Sequence, residues 1–172
     1  MNNVPEKLIS YSVYHNGNDF LGTADVQLPS LEAMTDTVSG AGIAGEVDSP
    51  TIGHYSSMTL GLNWRTITKN NLSLAAPVAH ALDFRGSMQV YDPASGQHKP
   101  VPVKVSVRAM PKKTDLGKGA VGATMDTANE FEVVYIKVLL DGKTMVEIDK
   151  YNYICIIDGI DYLKKIKEQL GM

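Results

Sequence analysis

An antiparallel, mainly β fold, a barrel or a sandwich with one short flanking helix and a C-terminal helix, follows from three features of this 172-residue sequence. Apolar and polar residues alternate with period two in several segments, as in strands buried on one face. An Asp-Gly pair divides two β-branched runs, and both central positions of a type I′ hairpin turn need positive φ. Helical spacing of apolar residues is scarce outside the C-terminus.

In chain order, Tyr11 to His15 reads as a strand closed by the polar turn Asn16-Gly17-Asn18. From Met58 to Thr66 the apolar Met58, Leu60, Leu62 and Trp64 alternate with Thr59, Gly61, Asn63 and Arg65. A short helix fits around Asn71 to Ala76, before Pro77. Arg85 to Tyr91 is a further strand, ending at the turn Asp92-Pro93-Ala94-Ser95-Gly96. Val101, Val103, Val105, Val107 and Ala109 share one face of the next, with Lys104, Ser106 and Arg108 on the other. EFEVVYIKVLL and KTMVEIDKYNYICI flank Asp141-Gly142 as a hairpin. Asp161 is positioned to cap a terminal helix in which Tyr162, Leu163, Ile166 and Leu170 recur at helical spacing, with Gly171 as the stop. Two stretches rich in Gly, Ala, Ser, Thr and Asp, about 39–57 and 111–129, read as long loops of one domain spanning 1–172, and loops of that length point to function or to order gained in an assembly. The second has too little apolar content to pack alone, so it is expected to be mobile in a free subunit.

Composition narrows the function. One cysteine, Cys155, in the apolar run YICII reads as a buried thiol and suits a cytosolic origin. The start MNNVPEKLIS lacks a signal-peptide pattern and no run is long enough to span a membrane, so an unprocessed soluble chain is expected. A net charge of −3 disfavours sequence-independent DNA binding. The charge is split: no lysine or arginine lies between Lys7 and Arg65, where Asp19, Asp25, Glu32, Asp36, Glu46 and Asp48 fall. Lys99, Lys104, Arg108, Lys112, Lys113 and Lys118 follow almost without acidic relief before Asp126. Such a split suits head-to-tail assembly or a lumen of one sign.

No reaction centre emerges. Gly40 to Gly45 and Gly117 to Gly122 both fit G-x-G-x-x-G, yet neither precedes a segment with a helix face to receive a pyrophosphate, so bends or close backbone approach explain them better. The histidines at 15, 54, 80 and 98 are isolated, and no cofactor or metal is expected. Glu147 and Asp149 share a strand face, the spacing of a carboxylate pair but also of a solvated surface, and Trp64 continues an apolar stripe and reads as core.

Three blocks, YSVYHNGNDFLGTADVQLPSL, SGAGIAGEVDSPTIGHYSSMTLGLNW and LLDGKTMVEIDKYNYICIIDGIDYLKKIKEQLG, resemble the major tail tube proteins of contractile phage tails, a family also found in phage-tail-like bacteriocins. The last block is the most specific, with Asp141-Gly142-Lys143, Glu147-Ile148-Asp149, Asn152, Asp158 to Asp161 and the terminal Leu170-Gly171. The resemblance implies a non-enzymatic tail-tube fold, similar to type VI secretion tube proteins. It implies hexameric rings stacking into a rigid hollow tube inside a contractile sheath, with sheath, baseplate, initiator and terminator proteins as partners. It further implies DNA passing without tight binding, or a puncturing tube, in a particle made in the host bacterial cytoplasm. On it, Glu32, Asp36, Glu46 and Asp48 are candidates to face the lumen, and Lys112, Lys113, Asp115 and Lys118 to form contacts between rings or subunits. The alternatives are a soluble small-molecule-binding or enzymatic β-barrel, such as a cupin-like or flavin-binding fold, against which the lack of clustered ligands stands, and a baseplate or tail-completion protein of the same fold.

Overall fold

The computed structural model describes residues 2–23 and 25–172. Twelve strands and two helices are present among them: β1 Val4–His15, β2 Asp19–Leu21, β3 Asp25–Gln27, β4 Ala33–Ser39, β5 Glu46–Tyr55, β6 Thr59–Trp64, α1 Lys69–Ser73, β7 His80–Asp92, β8 Gln97–Asp115, β9 Thr127–Leu140, β10 Lys143–Asp149, β11 Ile154–Ile157, β12 Ile160–Asp161 and α2 Lys164–Leu170. The main sheet runs β12-β11-β10-β9-β8-β7-β1-β2, with β6 pairing both β9 and β3, while β4 and β5 form a two-stranded sheet of their own. Every pairing is antiparallel.

The layers arise because β9 changes partner partway along. Its first half, Thr127 to Glu132, pairs with β6, and its second half, Tyr135 to Leu140, pairs with β10. At the changeover β8 advances from Ala109 to Arg108 while β9 advances from Val133 to Tyr135, so one extra residue is inserted and the strand turns. This folds β6 and β3 over β1, β7 and β8. Leu60, Leu62, Val26 and Leu28 then face Val13, Leu82, Phe84, Val105 and Val107. Each fully buried side chain of this kind contributes about 1.5–3 kcal/mol.

The alternating segments became strands, with Met58, Leu60, Leu62 and Trp64 all buried. Asp141 and Gly142 take φ of 50° and 77°, the turn geometry that joins Leu140 to Lys143. Gly171, at φ 73°, ends α2 in the left-handed conformation.

Three details differ from the sequence reading. The stretch 39–57 is mostly strand, with a loop only at Gly40 to Gly45, and 111–129 shrinks to a loop between Asp115 and Thr127. Local periodicity missed β5 because Glu46, Val47 and Asp48 are all exposed, so its two faces do not alternate in burial. The helix expected at Asn71 to Ala76 starts earlier, at Lys69, where the Thr68 hydroxyl accepts the Asn71 N–H, and ends at Ser73. The α2 N-cap is Leu163 rather than Asp161, whose carboxylate instead accepts the Leu163 N–H at 3.0 Å.

Candidate functional site: assembly surfaces

The β4–β5 hairpin pairs Asp36 with Ser49, Thr37 with Asp48, Val38 with Val47 and Ser39 with Glu46. Because facing residues share a side and neighbours alternate, Thr37, Ser39, Glu46 and Asp48 lie on one face, and Asp36, Val38, Val47 and Ser49 on the other. These four residues of the first face are all polar, with the Thr37 hydroxyl donating to Asp48 at 3.0 Å. The second carries an exposed apolar pair, Val38 at 42% and Val47 at 53%. The hairpin base is tied down where Ser56 N–H donates to the Glu32 carbonyl at 2.8 Å and where Gly53, at φ +67°, lies under Leu163. Of the four acidic candidates, Glu46 and Asp48 therefore stand together, Asp36 points the opposite way, and Glu32 sits at the base.

The basic candidates are distributed differently. Lys112 lies 3.7 Å from Glu130 and 3.5 Å from Glu132 on its own β9. Burial opposes ionisation of Glu132, but the Ser57 hydroxyl and the charges of Lys112 and Lys150 outweigh it and hold the carboxyl below its usual range. Asp115 accepts the Gly117 N–H at 2.9 Å, the Lys118 N–H reaches the Met125 carbonyl at 2.8 Å, and the Met125 N–H reaches the Arg65 carbonyl at 2.7 Å. The loop is thus braced within the subunit, with Val121 fully exposed at its tip. Lys113 sits opposite Glu130 in the β8–β9 register.

Other groups singled out in the sequence prove structural. Glu147 accepts the Tyr135 hydroxyl at 3.1 Å, and burial, with the Glu147 charge, pushes that phenol up. Asp149 accepts from the Tyr151 and Asn152 N–H groups and from the Asn152 side chain, and so shapes the turn into β11. Cys155 is buried beside the Tyr55 hydroxyl at 3.8 Å. Trp64 is core, and its indole N–H donates to Asn129 at 2.9 Å. Neither glycine motif opens a helix: Gly40 to Gly45 joins β4 to β5 and Gly117 to Gly122 joins β8 to β9. His15 and His80, isolated in sequence, meet at 3.2 Å. Among the described residues no three His, Cys, Asp or Glu side chains group to hold a metal ion, and no helix is long and apolar enough to cross a membrane.

The fold is that of a layered antiparallel β-protein with an isolated hairpin and exposed apolar residues on its surface. Residues 5–171 match the family described as phage tail tube protein FII, and the chain belongs to that family. It is 29% identical to the tail tube protein of Escherichia phage P2 over 178 residues, 98% of this chain and 99% of that protein. Its fold is shared with the sheath/tube terminator of the PVC extracellular contractile injection system in the extended state, at a TM-score of 0.55 and 12% identity, covering 78% of this chain and 96% of that one. The chain is a structural component of a phage tail or tail-like particle.

Proposed function

We propose that this chain is the non-enzymatic subunit of the inner tube of a contractile tail, closing into hexameric rings that stack into a hollow conduit within a sheath. The observation that carries the reading is the β4–β5 hairpin, a two-stranded ribbon outside the main sheet with both faces exposed. An isolated hairpin is marginal in water, and pairing or packing with another copy stabilises it and removes its bare edges. Sheath, baseplate, initiator and terminator proteins are the partners this role requires. Lys113, Lys118 and the exposed Val121 tip are offered to the next ring or subunit, while Lys112 and Asp115 brace the loop that presents them. Glu46 and Asp48 form the inner wall, so that DNA, where the particle carries it, meets like charge and passes without gripping.

Electron microscopy of the purified protein tests the assembly: rings or tubes are expected, and persistent monomers at high concentration overturn it. For the wall, wild-type tubes should not retain double-stranded DNA at low salt, whereas tubes of E46K/D48K should. Intact mutant tubes that still ignore DNA would place these two side chains elsewhere.

A further inference from the structure

The two layers of the sandwich are unequal in length. β1, β7 and β8 run for 12, 13 and 19 residues, but β3 and β6, which cover them, have three and six. Beyond Phe84 the inward face of the long strands continues through Gly86 and Met88 on β7, Leu8 on β1 and Val103 on β8, joined by the pairs Leu8 with Met88 and Gly86 with Val103. Among the described residues no strand lies over this part, and it forms an open groove with Leu28 and Phe84 at its inner end, in which Leu8 is 43% exposed. This part of the apolar sheet face is therefore only partly covered, with Leu8 exposed and Met88 and Val103 half-buried.

The hairpin has the complementary defect, a second layer with nothing beneath it. It is anchored where Gly53 packs on Leu163 and Tyr55 on Cys155 of β11, whereas the groove is lined by β1, β7 and β8, which follow β10 and β9 in the strand order. Charge also matches: the hairpin carries Asp36 on its valine face and no cation, while Lys7 stands at the groove. The one acid there, Glu6, is engaged by Gln89 at its side-chain amide and by His98 at 3.2 Å.

We infer that the Val38–Val47 face of the hairpin packs into the Leu8–Met88–Val103 groove of a second copy, supplying that copy's missing layer. The inference rests on the tube reading and names the surfaces through which it operates. The contact is heterologous: each copy gives one hairpin and receives one, so the interaction propagates until rotation closes a ring. It also orients the hairpin, because seating Val38 and Val47 leaves Glu46 and Asp48 facing away from the joint.

The test pairs V47C with M88C in assembled protein, read on non-reducing gels after mild oxidation. The double variant should give a ladder of covalent oligomers, while the single variants should not extend beyond dimers. As a second measurement, V38D/V47D, altered only at exposed positions, should raise the concentration needed for assembly at least tenfold while keeping the wild-type melting profile. V38D/V47D mixed with L8D should give a discrete heterodimer, since one competent joint remains. Tubes that form normally in V47C/M88C without a ladder, or in V38D/V47D at the wild-type concentration, overturn the inference alone. Wild-type protein that forms neither rings nor tubes overturns the tube reading and this inference with it.

Discussion

His15 at the end of β1 donates its Nε2–H to Nδ1 of His80 at the start of β7, over 3.2 Å. The direction is fixed by the second ring nitrogen of His80, which lies 3.0 Å from the Ala76 carbonyl. A carbonyl only accepts, so Nε2 of His80 carries the hydrogen and Nδ1 is left as the acceptor. His80 is buried against the Phe131 ring, and the chain of two bonds pins the segment after α1 to the strand ends.

Acid should loosen this clasp. Burial, and then the adjacent His80, holds the His15 imidazole below its ordinary 6.5, with Asp19 across the β1–β2 pair pulling the other way. Well above pH 6.5 the ring is neutral folded or unfolded, and no dependence arises. As pH falls below that value the unfolded chain takes up a proton the folded ring refuses, so stability drops until the folded value is reached. Urea midpoints should be lower at pH 5.5 than at pH 7.5, and His15→Gln should shrink the difference; equal wild-type midpoints would contradict the linkage.

A buried amide network makes Asn129 a sensitive position. Its Oδ1 accepts from both the Trp64 indole and the Asn71 side chain, and its own amide reaches the Asn71 carbonyl at 3.3 Å. Asn129→Leu strands two buried donors, at about 1–3 kcal/mol each. A loss of about 2–4 kcal/mol is expected in denaturant unfolding followed by the fluorescence of Trp64, the sole tryptophan.

Gly53 cannot accept a side chain. A Cβ there would fall 2.5 Å from Leu163 Cδ2 at a φ of +67°. Left-handed backbone costs about 1–2 kcal/mol and overpacking about 1–3 kcal/mol. Gly53→Ala should lower stability by about 2–4 kcal/mol, and the G53A/L163A double variant should lose less than the two single losses combined. Simple additivity in thermal or chemical melts would show that the two sites do not collide.

The loop between β8 and β9 should matter to both folding and assembly. At Gly117 a Cβ would lie 2.1 Å from the Met125 carbonyl oxygen, so Gly117→Ala displaces the backbone that Lys118 and Met125 bond. The clash is with backbone at a φ of +84°, so the cost should match that at Gly53, about 2–4 kcal/mol in melting. Tube formation, measured by light scattering, should require more protein; unchanged assembly would make the loop dispensable for stacking.

Legibility followed burial. Met58 to Trp64 and Val101 to Ala109 announced themselves because one face of each packs inside this chain, and alternation is the record of that packing. β5 left no such record: the pairing that makes it a strand is backbone bonding to β4, and its exposed valines face no partner within the chain. Equally silent was Asp36, whose acidic neighbours in sequence suggested a common surface until the register put it on the other face of the hairpin from Glu46 and Asp48.

The amino-acid sequence by itself determined the antiparallel β class, the Asp141-Gly142 hairpin, the helix ending at Gly171 and the family, because each is written in residues near one another along the chain. Only the tertiary structure decided that His15 meets His80 across 65 positions, that Asn129 joins Trp64 and Asn71, and that the long strands outrun their cover. Those relations depend on strand order and on the residue inserted where β9 changes partner. Packing fixes them through contacts remote in sequence, and no local period carries that information.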